Sequence, residues 1–236
     1  MSDLIMQLAG VIQRDIDSLK AVSQNVANAN TSGYRASRAF NVMATPEAAI
    51  GTSQGLEGIE TQTSLDLQGG ALQFTGKATD LALSGDAWFA VQGPRGTLLT
   101  RDGRFHVDNA GYLVNAGGQR VLGDGGALQI GNGTLKVERS GQVLVDDQPV
   151  ASLHLLRVSD PARLSAVGNG LYQHAGRALP AQDYQVHQGM QEGSNVALGT
   201  DMVKIMEVSR HVESMQRALS AYDGMLNSGI NQLGKD

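Results

Sequence analysis

Apolar residues near the start of the chain recur at alternating steps of three and four: Ile5, Leu8, Ile12, Ile16, Leu19, Val22 and Val26. That spacing puts them on one stripe of a helix, with Gln7, Arg14, Asp15, Lys20 and Gln24 mostly off it. The pattern stops in Asn28-Ala29-Asn30-Thr31-Ser32-Gly33-Tyr34. Asn and Ser favour local side-chain bonds over helix interiors, and Gly33 can take the left-handed conformation that closes a helix. A second stripe occupies the other end. Met202, Ile205, Val212, Met215, Leu219, Tyr222, Leu226, Ile230 and Leu233 keep a roughly 3.5-residue repeat, with an interruption expected at Val208-Ser209. Ser194-Asn195 or Thr200-Asp201 can supply its N-cap. An amphipathic helix ordinarily packs on its own domain's core. Stripes this long at opposite ends of the chain point instead to each other.

Between the stripes the pattern changes. All five prolines, Pro46, Pro94, Pro149, Pro161 and Pro180, lie there, as expected of a non-helical centre. Residues 35–70 are polar and rich in Gly, Thr, Ser and Gln, with Thr45-Pro46-Glu47 and Gly51-Thr52-Ser53-Gln54-Gly55. They read as a linker or extended arm, with a short strand near Ile59 or Leu65. From residue 71 to 193, short β-favouring runs alternate with turns. Leu81-Ala82-Leu83-Ser84, Gly85-Asp86 and Trp88-Phe89-Ala90-Val91 read as strand, turn, strand. The clearest hairpin pattern joins Leu98-Leu99-Thr100-Arg101 to Arg104-Phe105-His106-Val107 through Asp102-Gly103, which suits a two-residue primed turn. Further strands are expected at 112–114, 121–123, 128–130, 135–137, 143–145, 153–158 and 184–187. Turns this frequent favour an antiparallel sandwich or barrel-like domain.

The expected fold class is therefore α+β. N- and C-terminal helices pair as a coiled-coil-like inner domain, residues 1–34 with 194–236. A linker or arm spans 35–70, and a central antiparallel all-β domain spans 71–193.

Composition narrows the functions available. The chain has 236 residues, 30 of them glycine, and a formal net charge of −5 with no basic face, which argues against nucleic acid. It contains no cysteine, hence no disulfide, thiol nucleophile or thiolate metal site. No apolar run reaches bilayer length, so an integral membrane protein is not expected. The start, Met1-Ser2-Asp3, lacks the basic opening of a secretory signal, so export without a cleaved signal is the expectation. His106, His154, His174, His187 and His211 are scattered without metal-site spacing. Gly123-Asp124-Gly125-Gly126 lacks the Gly-Lys-Ser/Thr of a phosphate loop and reads as a turn; Asp146-Asp147 lies beside a Gln-Pro turn. No catalytic, cofactor or metal site is expected, and no enzyme. A competing reading from another class is a ligand-binding or enzymatic β domain with helical oligomerisation arms, which requires a deep polar pocket with convergent groups.

One set of motifs is more specific. Gln24-Asn25-Val26-Ala27-Asn28-Ala29-Asn30-Thr31-Ser32-Gly33-Tyr34 resembles the Asn-Asn-Leu-Ala-Asn-x-x-Thr-x-Gly-Phe/Tyr signature of bacterial flagellar rod and hook proteins, with Gln24 and Val26 as departures. Asp80-Leu81-Ala82-Leu83-Ser84-Gly85, Trp88-Phe89-Ala90-Val91, Thr100-Arg101-Asp102-Gly103-Arg104-Phe105 and Gly111-Tyr112-Leu113-Val114 continue the match. Glu192-Gly193-Ser194-Asn195-Val196 resembles the family's C-terminal signature. The blocks keep the family order over nearly the whole chain. Trp88 after Gly-Asp-Ala, and Glu-Gly-Ser-Asn-Val, look more like proximal-rod than distal-rod members.

The resemblance implies a non-enzymatic structural subunit of the flagellar basal-body rod, assembled as a helical tube that transmits motor torque for motility. It implies copies of itself and other rod proteins as partners, passage through the flagellar type III export apparatus, and a place in the rod within the periplasmic space. Assembly and helix packing would fall to Ile5, Leu8, Ile12, Leu19, Val22, Val26, Met202, Ile205, Val212, Met215, Leu219, Tyr222, Leu226 and Ile230. The joint between helices and β domain would fall to Asn25, Asn28, Thr31, Gly33 and Tyr34. Arg101, Asp102, Gly103 and Phe105 mark the hairpin, and Ser194, Asn195 and Val196 the C-terminal signature.

Overall fold

A computed structural model describes residues 2–43, 59–176 and 178–233. The turn-rich positions at 45–47 and 51–55 lie outside the described residues. Two compact units result: Met1–Val26, Ser37–Ser64 and Ala197–Asp236 form one, and Ala27–Ala36 with Leu65–Val196 form the other. The expected arm, 35–70, is thus divided between them.

The first unit holds α1 (Ser2–Ala27) and α2 (Leu198–Leu233), together with β1 (Ser37–Met43) and β2 (Ile59–Leu65), which pair as a two-stranded ribbon. The strand expected near Ile59 or Leu65 is present. Its partner β1 escaped the pattern because Arg38 and Asn41 dilute a short apolar run. In α1 the deepest described positions are Ala21 and Asn25, while Ile12, Leu19, Val22 and Val26 are half-buried and Ile16 is more exposed. In α2, Ile205, Val208, Val212, Met215, Leu219 and Tyr222 are the least exposed apolar positions of the described stretch. Their steps of three and four run unbroken through Val208, which is 6% exposed, so the interruption expected at Val208-Ser209 does not exist. Met202, three residues before Ile205, is half-exposed. Ile5, Leu8, Leu226 and Ile230 fall within the two helices, with side chains outside the described ones. His211 Nδ1 and Asp15 Oδ2 meet at 2.6 Å, linking α2 to α1. No described helix is long and apolar enough to cross a membrane.

Neither expected N-cap holds. The helix opens at Leu198, and the Ala197 carbonyl accepts its first bond, from the Asp201 N–H at 2.9 Å. Thr200-Asp201 sits inside the first turn, where the Asp201 charge suits the positive end of the helix dipole. Ser194-Asn195 precedes the helix because Asn195 is engaged elsewhere, as described below.

The second unit is built from strands alone, apart from a short 3-10 turn at Pro161–Arg163. β3 (Leu72–Phe74), β4 (Leu81–Gly85), β5 (Ala87–Gly93) and β6 (Gly96–Thr100) come first. The short strands β7 (His106–Val107), β8 (Leu113–Val114), β9 (Leu122–Gly123) and β10 (Gly126–Ala127) follow. Next are β11 (Leu135–Val137), β12 (Gln142–Val145), β13 (Gln148–Ser152) and β14 (Leu155–Arg157). The last are β15 (Leu164–Gly168), β16 (Leu171–His174), β17 (Leu179–Pro180), β18 (Tyr184–Gln188) and β19 (Met190–Glu192). The largest sheet has the order β15-β16-β6-β5-β14-β17, and its pairings are antiparallel.

Strand β5 organises this unit because both of its faces are buried. Alternate residues of a strand point to opposite sides. Ala87, Phe89 and Val91 join a core with Leu81, Leu113 and Phe105, where the Phe89 and Phe105 rings meet edge to face at 5.1 Å. Trp88 and Ala90 join a second cluster with Leu99, Leu156 and Tyr172. The run Trp-Phe-Ala-Val is apolar throughout for that reason.

The hairpin expected around Asp102-Gly103 does not form. β6 ends at Thr100 and pairs with β5 and β16, whereas β7 pairs with β8. Arg101 turns inward, its guanidinium donating to the Leu83 and Gly85 carbonyls at 3.3 and 2.6 Å, and Phe105 enters the core. Those two anchors lead the chain away from β6. The primed turn is found instead at Asp146-Asp147, with φ of 51° and 62°, between β12 and β13. Likewise Gly85-Asp86 does not fold β4 back on β5; β4 pairs with β18. The Gly123–Gly126 segment is the turn expected, closing β9 on β10.

Gly103 is held at close range: a Cβ there would lie 1.6 Å from the Leu81 carbonyl oxygen. Gly103→Ala is expected to destabilise the β unit by about 2–4 kcal/mol, since backbone cannot yield to backbone. Urea unfolding of the full chain checks this, and a loss below about 0.5 kcal/mol, the level of a neutral surface change, would contradict it.

Candidate functional site

Three segments far apart in sequence converge inside the β unit on a buried ion cluster. Residue 35 follows the helix-ending motif, residue 101 follows β6, and residue 192 closes β19. Arg35 Nη2 donates to Glu192 Oε1 at 2.7 Å, with both side chains essentially removed from solvent. Arg101 Nε stands 3.6 Å from Glu192 Oε2, also buried. Two guanidiniums therefore share one carboxylate. Trp88 contributes an aromatic face to both, each Cζ lying 5.7 Å from its ring centroid. Burial pushes the Arg101 guanidinium down to about 10, and the Glu192 charge opposes that fall, so Arg101 stays protonated at neutral pH. The Nε and Nη1 atoms of Arg35 have no hydrogen-bond partner among the described residues.

The surrounding backbone is fastened to the same point. The Gly33 N–H donates to the Glu192 carbonyl at 2.8 Å, and the Gly70 N–H donates to Glu192 Oε1 at 2.9 Å. The Arg35 N–H donates to the Tyr172 hydroxyl at 3.1 Å; burial pushes that phenol up, favouring the neutral form. The Tyr172 ring in turn meets Trp88 edge to face at 5.1 Å. Gly33, with φ of +66°, leaves no room for a side chain: a Cβ would sit 2.3 Å from the Arg101 carbonyl carbon. Asn195 works as a three-way tie. Its Oδ1 accepts from the Ala36 N–H at 2.7 Å, and its Nδ2 donates to the Asp66 and Gln68 carbonyls at 2.9 Å.

Among the residues singled out from sequence, Gly33, Tyr34, Arg101 and Asn195 thus fall within one region, the first three buried and Asn195 half-buried at its margin. Thr31 Oγ1 bonds Asn28 Oδ1 at 3.2 Å within the turn, and Ser194 Oγ accepts from the Val196 N–H at 3.3 Å. Asn25, in the helical unit, exchanges two bonds with Ser37: Nδ2 donates to its carbonyl at 2.9 Å and Oδ1 accepts its N–H at 2.8 Å. Asp102 points outward, gripping Arg104 through both carboxylate oxygens at 2.9 and 2.8 Å. Sequence reasoning missed Arg35, Glu192, Trp88 and Tyr172 as a set. The available signal was an Arg beside each of two motifs and a Glu opening the third.

The cluster has little scope for chemistry. Elsewhere, Ser84 Oγ and His187 Nε2 lie 3.0 Å apart across β4 and β18. They border a polar, widely open hollow with no buried carboxylate among its lining residues. Among the described residues, no group of three or more His, Cys, Asp or Glu could hold a metal ion. A cavity of about 260 Å³ borders the ion cluster, with Leu67, Gly70, Leu83, Asp86, Arg101 and Glu192 on its lining.

The model of the flagellar hook protein FlgE/F/G D1 domain matches residues 82–145, and that of the flagellar basal body rod FlgEFG protein C-terminal region matches residues 187–233. Flagellar basal-body rod protein FlgF of Caulobacter vibrioides is 31% identical over 95% of this chain and 94% of its own length. FlgF of Rhizobium meliloti is 33% identical over 92% and 91%, and the rod protein FlgG of Bacillus subtilis 28% over 90% and 92%. The chain belongs to the FlgF family of flagellar basal-body rod proteins.

If the cluster holds the β unit together, Glu192→Ala should cost about 3–5 kcal/mol by stranding two buried guanidiniums. Replacing all three charges, Arg35→Met with Arg101→Met and Glu192→Leu, should return stability to within about 2 kcal/mol of the parent. Trp88, the only tryptophan, reports both by fluorescence during urea unfolding. Equal losses in the two variants would show that packing volume, and not charge balance, matters there.

Proposed function

We propose that this chain is a structural subunit of the proximal rod of the bacterial flagellar basal body, carrying torque without catalysing a reaction. The observation that carries the reading is the convergence of three distant segments, each in or beside a family motif, on one buried lock, in a chain 31–33% identical to FlgF relatives over nearly full length. A torque-bearing part needs a stiff body, and a desolvated ion cluster clamped by backbone bonds supplies stiffness.

In this reading the terminal helices pair through Ile5, Leu8, Ile12, Leu19, Val22 and Val26 on one side. Ile205, Val212, Met215, Leu219, Tyr222, Leu226 and Ile230 form the other side, with Met202 left for neighbours. The pairing makes the inner layer of a tube and stacks on copies of itself and on other rod proteins. Half-buried Ile12, Leu19, Val22, Val212 and Met215 support it: apolar stripes only partly covered within one chain still have surface to bury. Contacts repeated head to tail do not close, and so generate a helical tube. Residues 1–34 and 194–236 serve as the inner domain, 35–70 as the connecting arm and 71–193 as the outer body. Asn25, Asn28, Thr31, Gly33 and Tyr34 form the hand-over between them. Export through the flagellar type III apparatus and a periplasmic position of the rod complete the proposal.

Val212→Asp with Leu219→Asp is expected to abolish incorporation into purified basal bodies and motility. The β unit should keep its urea midpoint by Trp88 fluorescence. Normal incorporation of that double variant would refute the assembly role of the stripe.

A further inference from the structure

An open sheet edge bonds whatever strand comes to lie beside it, and a body packed among copies of itself is exposed to that hazard. The two larger sheets of the β unit have four edges: β15 and β17 in the six-stranded sheet, β11 and β13 in the three-stranded one. Three of these strands are poor templates in their own backbone. β13 contains Pro149, which has no N–H for an incoming strand, and its register with β12 shifts between Val143 and Leu144. β17 is two residues long, Leu179–Pro180, and one of them is proline. β15 is bulged, its register with β16 shifting between Ala166 and Gly168.

The backbone of β11 is regular, and a side chain closes its edge. The Asp146 N–H donates to the Thr134 carbonyl at 3.1 Å, and the Glu138 N–H to the Gln142 carbonyl at 2.9 Å. Even-numbered residues thus bond toward β12, so Leu135 and Val137 turn their backbone groups to the outer side. Gln188 meets them there. Its Oε1 accepts from the Val137 N–H at 3.1 Å, and its Nε2 donates to the Leu135 carbonyl at 2.9 Å. Those are the two bonds that a peptide group of a neighbouring strand would make around Lys136. Nε2 also donates to the Ala78 carbonyl at 2.8 Å, so the carboxamide is held from three sides. Further along the same edge, the Val186 N–H donates to the Arg139 carbonyl at 3.0 Å. The backbone of β18 therefore covers one position of the edge and the Gln188 side chain covers the rest. The main chain cannot continue beside β11, because Gly189, with φ of +74°, turns it away.

We propose that these four devices keep the β unit from adding a strand of another copy, with Gln188 as the guard of β11, so that neighbouring copies meet this unit through side chains and not by joining sheets. The proposal rests on the rod reading for the presence of close neighbours and adds to it the kind of contact they make.

The test opens both edges of the three-stranded sheet with Gln188→Leu and Pro149→Val. Both changes are made in the full chain carrying Val212→Asp and Leu219→Asp, which silence the helical stripe. Sedimentation velocity should give the opened chain a self-dissociation constant at least tenfold lower than that of the guarded chain. Hydrogen exchange should show residues 135–137 or 148–151 gaining protection on association. An opened chain that associates no more than the guarded one, or does so through other residues, overturns the proposal while leaving the rod reading intact. Absence of the parent chain from purified basal bodies defeats the rod reading instead. Should the opened chain lose its fold by Trp88 fluorescence, Gln188→Leu alone decides. A Val137 amide exchanging at least tenfold faster, with the β5 amides unchanged, supports the guard. An unchanged Val137 amide, or β5 amides accelerated to the same degree, overturns it.

Discussion

A carboxylate shared by two guanidiniums, out of reach of solvent, is the constraint on which the β body depends. Arg35, Arg101 and Glu192 come from three separate segments, and none can be buried alone without a large desolvation cost. Their mutual neutralisation is incomplete, two cations to one anion, and Trp88 with the Leu83 and Gly85 carbonyls takes up part of the remainder. A hydrophobic trio would be as stable or more so. What charges add is selectivity of register. Shifting any one segment by a residue leaves a buried ion without its partner, whereas a leucine would find another apolar neighbour.

The glycines around the cluster follow from this arrangement. Gly33 and Gly70 each approach another backbone where a methyl group would collide, with Arg101 and Gly193 respectively. Close backbone approach lets N–H groups of residues 33 and 70 reach Glu192, so that the carboxylate and its own carbonyl both accept bonds. The helix-ending Gly33 therefore does two things at once: it turns the chain out of α1 and docks it beside Arg101.

Much of this was legible in the sequence. The helical ends were legible because their apolar repeats are long, and long periodic segments leave little doubt of type. Strands such as Leu81–Gly85 and Ala87–Gly93 stood out as apolar runs between glycines. Pairing was not legible. Asp102-Gly103 has the chemistry of a primed hairpin turn, yet Arg101 and Phe105 are pulled inward by partners at residues 83, 85, 89 and 192, and local turn preference yields to them. The true primed turn, Asp146-Asp147, lacks the glycine that would have advertised it. Asn195 looked like a helix cap because its residue type suits one; its three partners lie at residues 36, 66 and 68, which no local pattern reveals. The signature residues were visible as motifs, but that they form a single lock follows only from contacts between positions far apart in the chain, 157 residues for Arg35 and Glu192.

The separation along the chain also sets an order of events. Arg35 and Glu192 are 157 residues apart, so the lock closes a very long loop, and its entropic cost falls due before its bonds form. Whichever end of the polypeptide becomes free to fold first, its charged member stays without a counter-ion until the other end arrives. The cluster thus acts as a completion check: the β body gains its ion lock only once everything from residue 35 to residue 192 is in place.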